Sequence, residues 1–292
     1  MEFSIVITTK DRRQYLERAL ASLVLQAGAP PFEVIVVDNG SRDDTAAVVG
    51  SYADRAVPVR YVGEPQPNRA KARNRGVEGS HGDYVLFCDD DVLTPPGWIA
   101  AHAAAHRDGD RVVNGPILNV SSEASRPLPS PANYSRAFLC TCNASLSKRA
   151  FVDVGGFDES FDLYGWEDTE LGLRLRERGL SWKFAWGAYL WHIKPPEANT
   201  LAVESRKAVE RARMAQKFLA KHPSRRARFA TGAYALNLFR GRYLLPDWLL
   251  ATYAGLATSD RMSSAIKGLV RAQLLDGIYT RELVRALDSE NR

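Results

Sequence analysis

Over the first two hundred residues, apolar runs of four to six positions alternate with segments whose apolar residues recur at helical spacing. That alternation predicts a parallel sheet joined by helical crossovers. Strands are expected at Phe3–Thr8, Phe32–Asp38, Val59–Val62, Tyr84–Cys88 and Arg111–Gly115, and helices at Arg13–Leu25, Asp43–Tyr52, Asn68–Val77 and Trp98–His106. Ser41 with Asp44 three residues on has the form of a capping pair, and Pro95-Pro96 is placed to open the next helix. On this reading Asp38 and the run Asp89-Asp90-Asp91 both end strands. The carboxyl edge of an open α/β sheet is where ligands bind.

Further along, residues Asn119 to Tyr134 are rich in Ser and Pro and predict a mobile loop over that edge. Leu171 and Leu175 set a helical spacing that stops at Gly179, and Trp182–Trp186 with Ala188–Trp191 reads as a short strand pair broken at Gly187. Past Pro195-Pro196 the composition shifts to Ala, Arg, Leu and Lys. We therefore expect a catalytic domain over 1–200 and a helical region over 201–292.

Length and composition narrow this picture only modestly. A chain of 292 residues that is 45% hydrophobic suits one large domain with an appendage. Cys88, Cys140 and Cys142 are odd in number and fit neither a zinc ribbon nor a disulfide framework, so reduced thiols are expected. The chain enters an apolar strand pattern at once, without a secretory leader pattern, and its best apolar stretch, Leu244 to Ala257, contains Pro246 and Asp247. A cytoplasmic location is the expectation. The net charge of +5 comes largely from the C-terminal third, around Arg206, Lys207, Arg211, Arg213, Lys217, Lys221, Arg225, Arg226 and Arg228. Such a region is most often a solvated helix face, and it also offers peripheral contact to the inner face of a membrane. No nucleic-acid partner is expected.

Candidate chemistry sharpens the picture. Three adjacent carboxylates after the apolar segment Tyr84-Val85-Leu86-Phe87 repel one another, and a divalent metal is the simplest neutraliser. Downstream stand Gly155-Gly156-Phe157-Asp158-Glu159-Ser160-Phe161 and Tyr164-Gly165-Trp166-Glu167-Asp168-Thr169-Glu170-Leu171. Together with Ser4-Ile5-Val6-Ile7-Thr8-Thr9-Lys10-Asp11-Arg12 and Val34-Ile35-Val36-Val37-Asp38-Asn39-Gly40-Ser41 these segments resemble the family 2 glycosyltransferases of GT-A fold, with a galactosyltransferase-like Gly-Trp-Glu-Asp segment. The four motifs fall in family order and span about two thirds of the chain.

The resemblance implies a GT-A fold, a mixed and mainly parallel Rossmann-like sheet flanked by helices, and an inverting transfer from a nucleotide sugar, UDP-linked in most relatives, to a hydroxyl-bearing acceptor. It implies Mn2+ or Mg2+ held by the D-x-D element, with Asp91 the direct ligand, Asp89 or Asp90 nearer the ribose or a coordinated water, and His192 completing the shell. An imidazole among oxygens tilts the choice toward Mn2+. Asp38 is expected to hold base or ribose, Thr8 and Thr9 to line the base pocket, and Asp11 and Arg12 to close the same turn. One of Arg69, Lys71 and Arg73 is expected to approach base or phosphate, and which one stays open.

The resemblance also implies that Asp168 is the general base and that Glu167 orients the acceptor or supports the loop. Both acids also suit the positive end of the helix that follows, which would lower the pKa of Asp168. Trp166 fits a wall for a sugar ring or a core position equally well. Gly156 is expected to let the backbone pass close to the donor sugar. Two alternatives remain. A sugar-phosphate nucleotidyltransferase would need a Gly-rich N-terminal loop that Val6-Ile7-Thr8-Thr9-Lys10 lacks, and a non-catalytic sugar-nucleotide-binding module would not need the acids and His192 intact.

Overall fold

The structure, a computed structural model, describes residues 2–194, 200–259 and 261–290. Its chain divides into two compact units, residues 1–162 with 167–195, and residues 163–166 with 196–292. The boundary expected near Thr200 adjoins residues outside the described ones. The short piece Leu163–Trp166 goes with the helical unit.

The first unit is built on a seven-stranded sheet. Its strands are β1 (Phe3–Thr9), β2 (Phe32–Asp38), β3 (Val59–Gly63), β4 (Tyr84–Asp89), β6 (Arg111–Asn114), β8 (Asn143–Ser147) and β9 (Ser181–Phe184), in the order β3-β2-β1-β4-β8-β6-β9. All pairings are parallel except those of β8, which runs antiparallel to both β4 and β6. This is the mixed, mainly parallel sheet of the GT-A arrangement. A second sheet of three short strands, β5 (Val92–Leu93), β10 (Leu190–Ile193) and β7 (Ile117–Val120), stands beside it. The strand pair expected over residues 182–191 is not a pair. β9 joins the large sheet and β10 the small one, because each finds a partner strand elsewhere.

Alternation along the strands feeds two cores. Phe3, Ile5, Ile7, Val34, Val36 and Leu86 face α1 (Arg13–Leu23) and α4 (Trp98–His106), meeting Leu16, Leu20, Trp98 and Ile99. Val6, Ile35, Val37, Val85 and Phe87 face the other way, onto α3 (Arg69–Glu78), α5 (Lys148–Asp153) and α6 (Glu167–Glu177). Helix α3 comes close because Gly76 faces Val6, where a Cβ would lie 2.4 Å from Cγ1. Burial on both faces explains why these strands read as continuous apolar runs.

Local signals were met in part. Helix α2 (Thr45–Gly50) starts at Asp44 with no side-chain cap, so the expected Ser41–Asp44 capping pair does not form. Ser41 instead takes the N–H of Asp11 on its Oγ, while Asp11 Oδ1 accepts the N–H of Arg42. Helix α4 begins after Gly97, whose φ of +92° makes the turn that follows Pro95-Pro96. The loop expected to be mobile is pinned: Trp191 Nε1 donates to the Pro127 carbonyl and the Arg126 guanidinium lies 4.7 Å from the Trp191 ring centroid.

The second unit is helical, with α7 (Leu201–Lys221), α8 (Arg225–Thr231), α9 (Ala235–Phe239), a π turn at Arg240–Leu244, α10 (Asp247–Thr258) and α11 (Ser264–Glu290). Among the described residues, no helix is long and apolar enough to cross a membrane.

Candidate active site

Two groups of carboxylates stand at the carboxyl side of the large sheet. The first closes β4. Thr8 pairs in register with Asp89, and Thr9 with Asp38, so the ends of β1, β2 and β4 meet. Arg12, in the loop after β1, reaches across with a forked contact, Nη1 to Asp90 Oδ1 at 2.8 Å and Nη2 to Asp91 Oδ2 at 2.7 Å. The expected neutraliser of the acidic run is thus supplied in part by the protein itself. Asp90 is buried and also accepts from Thr9 Oγ1 at 2.7 Å, and burial pushes its pKa up to about 7 against the pull of Arg12. The Thr9 hydroxyl is therefore engaged by Asp90.

Asp91 behaves differently. Burial works to raise its pKa, yet His192 and Arg12 outweigh that and hold it below the ordinary carboxylate range. Its side chain is 9% exposed, and Oδ1 lies 2.9 Å from His192 Nε2. Even so, Oδ1 has no hydrogen-bond partner among the described residues. The imidazole and the carboxylate oxygen are both ligand-type groups and stand in contact at this distance. Asp89, Cys142 and His192 also bring one carboxylate oxygen, the sulfur and one ring nitrogen within 4.8 Å of one another. An orphaned, buried carboxylate oxygen beside an imidazole, with a second carboxylate in reach, fits a divalent cation. The register of β10 places the imidazole there: His192 pairs antiparallel with Val92, and the Ile193 N–H donates to the Asp91 carbonyl.

The second group opens α6. Trp166 holds a φ of +75°, strained for a bulky side chain, and turns the chain directly into Glu167 and Asp168. Arg73, buried on α3, lies 3.2 Å from Glu167 Oε1 and 3.7 Å from Asp168 Oδ1. Thr141 donates its N–H to Asp168 Oδ2 at 2.9 Å and its Oγ1 lies within 3.0 Å of both Asp168 oxygens. Burial nevertheless dominates and, with Glu167 adding its charge, pushes Asp168 up to about 6. The lowering expected from the helix end is overturned, because desolvation outweighs it. Arg73 feels Asp168, Glu167 and Asp89 together, which ties the two acidic groups into one field.

Several expected roles change. Asp38 is buried and commits both oxygens, Oδ1 to the Ser41 N–H and Oδ2 to the Tyr61 hydroxyl at 2.8 Å. Lys71 is held by Glu64 and Gln66, and Arg69 sits exposed at the first position of α3. Gly156, at φ +68°, is required by packing: a Cβ would sit 2.8 Å from Asn74 Oδ1 and 3.0 Å from Phe151. The expected passage close to a donor sugar is not what fixes it. Trp166 is buried, stacked on Phe218 at 5.3 Å, and donates Nε1 to the Arg211 carbonyl, which is the core role.

The segment Thr141-Cys142 was missed as a functional element. It leads into β8, holding Asp168 through Thr141 and bringing the Cys142 sulfur within 4.8 Å of an Asp89 oxygen. Its only sequence signal was a pair of cysteines one residue apart.

Comparison with known proteins agrees with this construction. Residues 4–155 match the model of glycosyl transferase family 2, and residues 124–197 match that described as the N-terminal domain of galactosyltransferase. The chain belongs to glycosyl transferase family 2, which sets aside the nucleotidyltransferase alternative. It is 32% identical over 266 residues to validoxylamine A glucosyltransferase of Streptomyces hygroscopicus subsp. limoneus, an alignment covering 76% of this chain and 57% of that protein. With hyaluronan synthase of Pasteurella multocida it shares 28% over 239 residues, 66% of this chain and 24% of the synthase. The chain thus spans less than two thirds of the first relative and about a quarter of the second. Among solved structures, the mannosyltransferase PcManGT from Pyrobaculum calidifontis, in complex with GDP-Man and Mn2+, superposes with a TM-score of 0.68 at 18% identity, over 99% of this chain and 87% of that one. S. aureus TarS in complex with UDP-GlcNAc gives 0.60 at 18%, over 99% and 92%.

Proposed function

We propose that this chain is an inverting glycosyltransferase that moves a sugar from a nucleotide diphosphate sugar, UDP-linked in the first instance, to a hydroxyl on a glycan, a lipid-linked sugar or a small molecule. One observation carries the reading: two carboxylates at one sheet edge are held differently, Asp91 against Arg12 and His192 at 2.7 and 2.9 Å and Asp168 against Thr141 and Arg73 at 2.9 and 3.7 Å, an arrangement that sets Asp91 below the ordinary range and Asp168 above it.

Asp168 acts as general base. The acceptor hydroxyl gives its proton to an Asp168 oxygen as its own oxygen forms a bond to the anomeric carbon, and the bond from that carbon to the diphosphate breaks with the electron pair leaving on the diphosphate. Attack on the face opposite the leaving group inverts the configuration. Arg73 keeps Asp168 ionised near neutral pH, and Glu167 orients the acceptor from the adjoining position. Thr8 and Asp89, paired at the ends of β1 and β4, would meet base and ribose, and Arg69, exposed at the start of α3, would meet phosphate. Asp91, His192 and Asp89 would hold Mn2+ or Mg2+, with Cys142 beside them. A bound divalent ion supplies Lewis-acid stabilisation of the departing diphosphate. The catalytic domain comprises residues 1–200.

Calorimetric titration of UDP in Mn2+ and in chelator tests the donor half of this reading, with binding expected in metal and at least about tenfold weaker in chelator. Equal affinities would remove the metal. Nuclear magnetic resonance of the glycosylated product tests the other half, and a retained anomeric configuration would remove Asp168 as the base.

A further inference from the structure

Residues 222–246 contain five arginines, Arg225, Arg226, Arg228, Arg240 and Arg242, and no acidic residue. Arg240 and Arg242 are held by Asp276 and Asp288 of α11, so the excess charge sits on α8, where Arg225, Arg226 and Arg228 are exposed. Immediately after them the chain leaves large apolar side chains in solvent. Phe229 and Leu236 are each 75% exposed and Trp248 69%, and Tyr234, Phe239, Tyr243 and Leu244 are exposed as well. Seven such residues within twenty positions contrast with the sparser ones of the sheet unit, which are spread over its whole length.

Their spacing is ordered. Leu236, Phe239 and Tyr243 recur at i, i+3 and i+7 along α9 and the π turn, and so fall on one side. Phe229 stacks on Tyr234 at 5.2 Å, and Phe239 meets Tyr243 at 5.0 Å. Helix α10 follows with the apolar sequence DWLLATYAGLAT, yet buries none of its residues.

We propose that residues 225–250 form a docking surface for an anionic lipid bilayer, with Phe229, Leu236, Phe239, Tyr243 and Trp248 entering the headgroup layer and the α8 arginines meeting lipid phosphates. Aromatic side chains beside arginines, on short helices with no spanning length, match the chemistry of an interfacial contact. Charge chooses the occupant. A second copy of this chain would set arginine against arginine, whereas an anionic bilayer offers the opposite sign next to an apolar layer. The surface lies wholly within the helical unit and does not depend on the transfer reaction.

Co-sedimentation with phosphatidylcholine vesicles, with and without phosphatidylglycerol, tests this. The full chain should bind the anionic vesicles and bind pure phosphatidylcholine far less. Replacing Arg225, Arg226 and Arg228 together by Gln should weaken partitioning about a hundredfold, at roughly fivefold per cation. Phe229→Ser or Leu236→Ser should each weaken it about tenfold. These side chains are exposed, so unfolding curves of the variants should match the parent. Acyl chains brominated near the headgroups should quench tryptophan fluorescence in the wild type and lose that effect in Trp248→Phe, which keeps binding. Three results would each overturn the proposal: no binding to anionic vesicles, binding unaffected by the apolar substitutions, or concentration-dependent self-association that the same substitutions abolish.

Discussion

Asp91 and Asp168, one from each acidic group of the sheet unit, are the same residue type and each is met by one buried or half-buried arginine, yet they end in opposite states. At the end of β4, Arg12 forks across Asp90 and Asp91 and leaves Asp91 Oδ1 without a hydrogen-bond partner beside His192. The Asp91 carboxylate is charged at neutral pH, its pKa held below the ordinary range by His192 and Arg12. At the start of α6, Arg73 is shared between Glu167 and Asp168, and burial carries Asp168 up to about 6. A permanently charged oxygen attracts a cation, whereas a carboxylate poised near neutral pH can take a proton and return it. On the proposed reading, geometry and not residue type divides the labour.

The largest effect should come from breaking the second group. Asp168→Asn keeps size and much of the hydrogen bonding but cannot accept the hydroxyl proton, so transfer should fall by roughly 10²–10⁴-fold. UDP affinity, measured in Mn2+, should be unchanged, since nothing in the nucleotide's proposed hold uses Asp168. Near-normal turnover in this variant would remove the distinction between the groups. Breaking the first should do the converse. Asp91→Asn takes a charge from the cation side and a partner from Arg12, and UDP affinity in Mn2+ should drop by about 10–100-fold. If Asp91→Asn bound UDP and metal normally while losing turnover, the roles would have to be exchanged.

A smaller, graded effect follows from the pKa of Asp168. The base works only when ionised, and the ionised fraction falls as pH drops through the pKa, so kcat/KM should decline below pH 6, by about tenfold per unit. Arg73 pulls that pKa down. Arg73→Gln should therefore move the acid limb to higher pH, provided a melting curve shows the variant folded. A limb that stays in place would mean Arg73 does not set the charge of Asp168.

The first group was more legible in sequence than the second, for physical reasons. Strands β1, β2 and β4 are buried on both faces and so read as unbroken apolar runs, and an acidic run closing one of them is conspicuous. Strand β8 was missed because it carries Asn143, Ser145 and Ser147 into the interior, where Trp98, His102 and His106 satisfy the first two and Asp110 the third. With β8 unseen, Thr141 and Cys142 had no place. Arg12 and Arg73 act on carboxylates 78 to 95 positions away in the chain, a pairing that no local pattern reveals. The Gly156 position illustrates the reverse error: a glycine beside a functional motif invited a ligand explanation, while the atoms it avoids are Asn74 and Phe151.

The smallest effect concerns Cys142, which sharpens how the first group differs from an all-oxygen site. Burial and Asp89 push its thiol well above the ordinary range, so without a cation it remains protonated. Its sulfur is nevertheless grouped with Asp89 and His192 within 4.8 Å. Mg2+ and Mn2+ take oxygen and nitrogen donors readily and gain little from sulfur, so Cys142→Ser should change UDP affinity in either ion by only about twofold to threefold. A softer ion would report the sulfur directly. Co2+ added to the wild type should give a near-ultraviolet charge-transfer band of thiolate origin, with release of a proton, and Cys142→Ser should lose both while keeping the weaker visible bands. Identical cobalt spectra in the two proteins would place the sulfur outside the coordination sphere. The first group would then be a carboxylate and imidazole site, and Cys142 would serve only to orient Asp89.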